Sequence, residues 1–110
     1  MARKNPLFKI IFFNHGKVYE LFCESVGSSG IWGFVEISDL VFETGEGLVV
    51  DPTEEKMRQE FAGARVLHLP LQSIVRIEEV DKRGKCLIRD RESGEKVTPF
   101  PLSPPGRGSS

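Results

Sequence analysis

Residues 7–14 have the sequence Leu-Phe-Lys-Ile-Ile-Phe-Phe-Asn. β-branched and aromatic residues at this density are typical of strands, because their side chains pack well on a pleated surface. The triplet Asn14-His15-Gly16 follows, and both Asn and Gly tolerate the positive φ of a tight turn. Residues 17–26 then resume an apolar strand pattern. The sequence therefore predicts a β-hairpin near the start of the chain.

Strand signals recur along the rest of the chain with short turns between them. They predict strands at residues 31–42, 48–50, 65–69, 74–80 and 85–89. The last two flank a turn at residues 81–84, which predicts a second hairpin. Gly33 lies inside the first of these strands and indicates a bulge or a close backbone approach.

One helix is predicted at residues 52–61. Asp51 has the side chain of an N-cap, and Pro52 suits the first helical position. Met57 and Phe61 are four residues apart and therefore lie on one helical face. A helix of this length is too short to be stable alone, so we expect it to dock through these two side chains.

Short strands with one short helix indicate a mainly β fold. The favoured architecture is a small SH3-like or Sm-like curled sheet or barrel with the helix inserted between strands. The alternative is an open α+β sheet with the helix packed on one face. Residues 1–98 are expected to form a single globular domain, because a chain of 110 residues has room for one core. Residues 99–110 are rich in Pro, Gly and Ser and are expected to be a disordered tail.

No apolar run in the sequence is long enough for a signal peptide or a membrane span. The two cysteines, Cys23 and Cys86, do not make the disulfide framework of a small secreted domain. We therefore expect a cytoplasmic protein with reduced thiols and no membrane partner.

The order of these segments resembles a bacterial family of domains of unknown function, number 1820. The resemblance covers residues 7–101 and implies a bacterial cytoplasmic protein, with no reaction, ligand or active-site residue attached. The segments that carry it are residues 9–14, 16–20, 33–36, 39–42, 49–52, 54–56, 60–61, 74–80 and 97–101.

The residues that could support catalysis or metal binding are scattered. The soft metal ligands are His15, His68, Cys23 and Cys86, and no two of them lie closer than eight positions. A structural zinc site usually has closely spaced ligand pairs, and nucleophilic catalysis needs a Cys or Ser beside a His. The glycines at 45 and 47 lack the Lys and helix of a phosphate loop. The sequence predicts no enzyme, no metal site and no cofactor.

Charge is unevenly distributed along a chain whose net charge is −1. Residues 36–60 are acidic, while residues 82–91 are basic. Basic groups on one hairpin could contact phosphates, and small barrels often bind RNA in this way. An RNA-binding or other nucleic-acid-binding barrel is therefore the alternative function. Its contact residues would be Lys82, Arg83, Lys85, Arg89 and Arg91.

The first hairpin has apolar residues on both of its faces, although a small sheet normally keeps one face in water. Either the helix and the C-terminal segment cover the second face, or another chain does, and a symmetric dimer is a common way to cover such a face. The favoured function is a non-enzymatic binding module that acts through protein–protein contacts, including self-association as a homodimer. The residues expected at that contact are Phe13, Tyr19 and Leu21. The sequence does not identify another protein partner.

Overall fold

The structure is a computed structural model that describes residues 5–42 and 51–97. Within these ranges, six strands and one α-helix form the fold. The predicted strand at 48–50 and the predicted tail at 99–110 lie outside the described residues. In chain order the elements are β1 (Phe8–Asn14), β2 (Lys17–Ser28), β3 (Phe34–Leu40), α1 (Pro52–Glu60), β4 (Val66–Pro70), a 3₁₀ turn (Leu71–Ser73), β5 (Ile74–Glu79) and β6 (Leu87–Asp90).

The first predicted hairpin is confirmed. β1 and β2 pair antiparallel in an uninterrupted register from Phe8 opposite Cys23 to Asn14 opposite Lys17. At the turn, His15 has a φ of 56° and Gly16 a φ of 76°. Positive φ at both central residues matches the right-handed twist of the strands that the turn connects. The hairpin is thus specified locally by its turn.

β2 is the central strand, and it pairs with one strand along one edge and with two strands along the other. β1 pairs along one edge, while β6 and β3 share the other. β6 lies opposite residues 17–20, and β3 lies opposite residues 23–28. The main path of the antiparallel sheet is therefore β4-β3-β2-β1-β5, with β6 attached to β2.

The predicted second hairpin is wrong. β5 pairs with β1, whereas β6 pairs with β2. Residues 80–86 therefore connect two strands that are not neighbours, and the chain passes β1 to reach β2. The turn signal at residues 81–84 was local and could not show which strand β6 would meet.

The favoured barrel is also wrong, and the open α+β alternative fits. In the part of the chain that the structure describes, no ladder joins the outer strands β4 and β5. Closing the sheet would require further strand pairing between these edges, but β6 returns to β2 instead. The result is a mainly β, six-stranded antiparallel sheet with one short helix.

The helix covers one face of the sheet. Met57 is fully buried, and Phe61, which follows α1, packs against the same core. Their docking role was predicted from the four-residue spacing and is confirmed. The buried strand residues of this core include Ile10, Phe12, Tyr19, Leu21, Cys23, Ile37 and Ile88. No helix in the described ranges is long and apolar enough to cross a bilayer.

Asp51 caps the helix as the sequence predicts, because its Oδ1 accepts a hydrogen bond from the Thr53 amide at 3.0 Å. Replacing Asp51 by Ala should lower the free energy of unfolding by about 0.5–2 kcal/mol, measured by thermal or urea unfolding. Asp51→Asn is the matched control, since Asn caps as well as Asp but loses the 3.5 Å ion pair with Lys85. An equal loss in both variants would show that the cap is not the source of the stability.

Candidate binding sites

The residues predicted for self-association do not form a surface. Leu21 has no exposed area and Tyr19 is 3% exposed. Phe13 is half-buried, and the Arg91 guanidinium lies 4.2 Å from the centre of its ring. The expectation that Tyr19 and Leu21 would be left in water without a second chain is wrong, because α1 and the core residues around it cover their side of the hairpin.

The opposite face of the hairpin is covered from within the same chain. Phe22 alternates with Leu21 along β2 and so points to the other face, yet it is only 3% exposed. The connection between β5 and β6 lies against it. The Arg83 guanidinium is 5.9 Å from the centre of the Phe22 ring, and a Cβ on Gly84 would lie 3.5 Å from its Cζ.

Charged groups complete this cover. Glu20 is 8% exposed and forms ion pairs with Lys9 at 3.5 Å and with Arg89 at 3.1 Å. A buried carboxylate is tolerated when it is paired in this way. The second apolar face therefore needs no partner chain at this position.

Most of the basic residues predicted for nucleic-acid contact instead bind different partners within the protein. Arg83 donates to Glu54 at 2.7 Å, and Arg89 donates to Glu20 at 3.1 Å. Lys85 lies 3.5 Å from Asp51, while Lys82 is exposed. Together with the stacking of Arg91 on Phe13, these contacts tie the segment to the helix and the sheet. Because residues 82–91 do not form a hairpin, they do not present one continuous basic face.

The thiols are poor nucleophiles. Both cysteines are free and buried. Burial raises the pKa of Cys23 to about 11 and the pKa of Cys86 to about 12. A thiol must ionise to act as a nucleophile or a metal ligand. In residues 5–42 and 51–97 no three His, Cys, Asp or Glu side chains are grouped so that they could hold a metal ion.

A groove opens between the first turn, α1 and strands β2 and β6. We call it the Tyr19 groove, and its volume is about 580 Å³. Tyr19 donates its hydroxyl to Glu60 Oε1 at 2.9 Å, and Asn14 donates to Glu60 Oε2 at 3.2 Å. Lys56 donates to the Tyr19 hydroxyl at 3.3 Å and to Glu60 at 3.4 Å.

These contacts shift the pKa values of Tyr19, Lys56 and Glu60. Burial and the hydrogen bond to Glu60 raise the pKa of Tyr19. Burial alone would raise the pKa of Glu60, but hydrogen bonds from Tyr19 and Asn14 and the charge of Lys56 outweigh it and lower the pKa. The hydrogen bond to Tyr19 raises the pKa of Lys56. At neutral pH the cluster therefore holds a carboxylate, an ammonium and a neutral phenol.

A partial signal for this cluster is visible in the sequence. Lys56 and Glu60 are four residues apart on a predicted helix, a spacing that places them together. Their contact with Tyr19 spans 37 and 41 residues of chain and could not be predicted from that spacing.

A second candidate site is an exposed apolar surface, which we call the Trp32 patch. Trp32 is 94% exposed, and its neighbour Ile31 and the residue Leu71, whose amide bonds to the Gly33 carbonyl, are each about half exposed. The sequence prediction placed Trp32 inside a strand, but the structure places it in the connection between β2 and β3. Glycines at positions 30 and 33 on either side of it were the available turn signal.

Hydrogen bonds hold the residues that carry this patch. The Ser29 hydroxyl accepts the Ile31 amide at 2.8 Å and lies 2.8 Å from Nδ1 of His68 on β4. The Leu71 amide donates to the Gly33 carbonyl at 2.9 Å, which ties the 3₁₀ turn to the Trp32 connection. Gly33 has a φ of 80°, a conformation that glycine adopts readily. Trp32 is thus exposed on a connection that is fixed at several points.

Comparison with known proteins gives a family but no closer relative. No curated protein and no solved structure matches this chain. Residues 6–102 match the family described as "Domain of unknown function (DUF1820)". This range includes every strand and the helix described above, and it agrees with the resemblance predicted for residues 7–101. The chain therefore belongs to the DUF1820 family of domains of unknown function.

Proposed function

We propose that this protein is a non-enzymatic binding module that acts through protein–protein contacts, and that the Trp32 patch is its contact surface. The observation that carries the proposal is the 94% exposure of Trp32 beside two other exposed apolar residues, Ile31 and Leu71. Single exposed apolar residues are ordinary on a protein surface, but a group of them marks an interaction site.

The chemistry of the patch suits a binding contact. Tryptophan is among the residues most enriched at the energetic centres of interfaces, because it buries a large rigid side chain. Burying one large apolar side chain contributes about 1.5–3 kcal/mol. Association costs free energy when it orders a mobile loop. The hydrogen bonds of the Trp32 connection already hold this loop in place, so that cost is smaller here.

Self-association belongs to the same proposal, but at a different place from the one the sequence indicated. Tyr19 and Leu21 belong to the core, and Phe13 is half-buried under Arg91, so a homodimer would form through the Trp32 patch. Nucleic-acid binding through residues 82–91 has less support, because Arg83 and Arg89 are already paired with carboxylates. The two buried, free cysteines support our proposal of a cytoplasmic location, where thiols stay reduced.

The test compares two variants of the tagged full-length chain, Trp32→Ser in the patch and Lys82→Ser at an exposed site outside it. Light scattering over a range of protein concentrations measures self-association. Affinity capture from the host, quantified for each captured protein, measures other protein contacts. Loss of an interfacial aromatic of this kind should weaken association about tenfold or more.

The expected result is that Trp32→Ser loses association while Lys82→Ser keeps it. Equal association of the wild type and Trp32→Ser would overturn the proposed surface. Copurified RNA that is lost in Lys82→Ser but kept in Trp32→Ser would favour the nucleic-acid alternative instead.

A further inference from the structure

We propose that the Tyr19 groove binds a small organic anion with an apolar body, such as a carboxylate on a short hydrocarbon chain. This inference concerns a different site from the Trp32 patch and does not depend on it. The volume of about 580 Å³ lies within the roughly 300–1,000 Å³ that small-molecule sites span.

The lining of the groove gives the chemistry of the ligand. Tyr19 and Ile88, which are 3% and 2% exposed, form the base of the groove, and Val97 and the hydrocarbon stems of Lys17 and Lys56 add apolar surface above it. His15 and Lys17 supply groups that can donate hydrogen bonds. Small-molecule sites combine a mainly apolar lining with a few polar groups that fix the orientation of the ligand. A molecule with an apolar body and one polar end matches this arrangement.

The charges of the lining indicate that the polar end is negative. Lys17 and Lys56 line the groove together with one carboxylate, that of Glu60. Glu60 already accepts hydrogen bonds from Tyr19, Asn14 and Lys56, so its charge is compensated within the protein.

Lys17 remains available for a ligand. Asp90 lies opposite Lys17 in the ladder, but its Oδ1 is engaged by the backbone amides of Glu92 and Ser93. An ammonium has three donors, so Lys17 can attract Asp90 and still bind an anion in the groove.

The walls of the groove are held in place before any ligand arrives. The bonds among Tyr19, Lys56, Glu60 and Asn14 join the hairpin to α1. His15 adopts a φ of 56°, as the two-residue turn requires, and the turn places its imidazole beside the groove.

Hexanoate and its neutral counterpart hexanamide are suitable probes, because they share the same hydrocarbon body. Each is titrated into the ¹⁵N-labelled full-length chain, and amide chemical shifts are followed by NMR. We expect saturable hexanoate shifts that centre on Lys17, Tyr19, Lys56 and Val97. Hexanamide should bind about tenfold more weakly, because it forms no charge-assisted hydrogen bonds.

Two variants separate a site from general attraction to positive charge. Lys17→Gln should weaken hexanoate binding about tenfold, whereas Lys82→Gln, at an exposed cation outside the groove, should leave it unchanged. Equal binding of the two probes, shifts without saturation, or equal weakening by both variants would overturn the proposal. Trp32→Ser should bind hexanoate like the wild type. The test of ligand binding in the groove is therefore independent of the test of protein contacts through the Trp32 patch.

Discussion

Replacing Leu21 by Ala should lower the free energy of unfolding by about 2–5 kcal/mol. Leu21 has no exposed area and lies opposite Ile10 in the β1–β2 ladder, within the core that α1 covers. Removing its side chain loses apolar burial and leaves a cavity that the surrounding strands cannot fully close. Urea unfolding followed by circular dichroism measures the change.

Leu71→Ala is the matched control for this prediction. Leu71 is 56% exposed on the 3₁₀ turn, and truncating it should change stability by no more than about 0.5 kcal/mol. If Leu21 were a dimer contact, as the sequence suggested, the Ala variant would dissociate and remain a stable folded monomer. That outcome, or equal stability losses at the two leucines, would show that the core assignment is wrong.

Replacing Arg83 by Ala should lower the free energy of unfolding by about 3 kcal/mol. The Arg83 guanidinium donates to Glu54 at 2.7 Å, and the Glu54 side chain is only 4% exposed. Removing the arginine takes away a partner of a buried carboxylate and uncovers part of the Phe22 ring, so desolvation and packing both oppose the variant. Arg83 is itself 19% exposed, which keeps the expected loss at the lower end of the range for buried pairs.

Lys85→Ala provides the comparison within the same basic segment. The Lys85 side chain is 72% exposed and lies 3.5 Å from Asp51, so its loss should cost no more than about 1 kcal/mol. A double-mutant cycle with Glu54→Gln and Arg83→Met then measures the coupling between the two buried partners. If Arg83→Ala costs no more than Lys85→Ala, the segment 82–91 is not tied to the helix as described.

Local signals in the sequence were sufficient for the first hairpin and for the helix. The turn Asn14-His15-Gly16 specified the first hairpin, and Asp51 with Pro52 specified the start of the helix. Such features depend on a few neighbouring residues. The apolar residues on both faces of the hairpin indicated that each face needs a cover, and Leu21 on one face and Phe22 on the other are buried.

The arrangement of the elements could not be predicted in the same way. β6 meets β2 rather than β5, and the Arg89–Glu20 pair joins residues that are 69 positions apart. The alternation of apolar and polar residues identifies a strand but not the strand with which it pairs. Pairing depends on contacts between residues that are far apart in the sequence. For this reason the basic segment was assigned to a hairpin, and Phe13, Tyr19 and Leu21 were assigned to a contact with a second chain.

The candidate sites could not be predicted either, because each is formed by residues that are far apart in the sequence. The spacing of Lys56 and Glu60 is visible in the sequence, but the groove exists only because Tyr19 lies beneath them. Trp32 was assigned to a strand because its neighbours are apolar, although the glycines around it favour a turn. The Trp32 patch became visible only when Leu71 was placed beside Gly33 through a backbone hydrogen bond.

Fluorescence of Trp32 tests the central claim most directly, because it is the only tryptophan in the chain. Acrylamide quenching and the emission maximum are measured on dilute full-length protein and again at concentrations where light scattering detects association. In the dilute protein we expect the emission and the quenching of an indole in water. As protein–protein contacts form, the emission should shift to shorter wavelength and quenching should fall. Protected, blue-shifted emission in the dilute monomer would contradict the exposed Trp32 patch, and association without any change in emission would contradict its role as the contact surface.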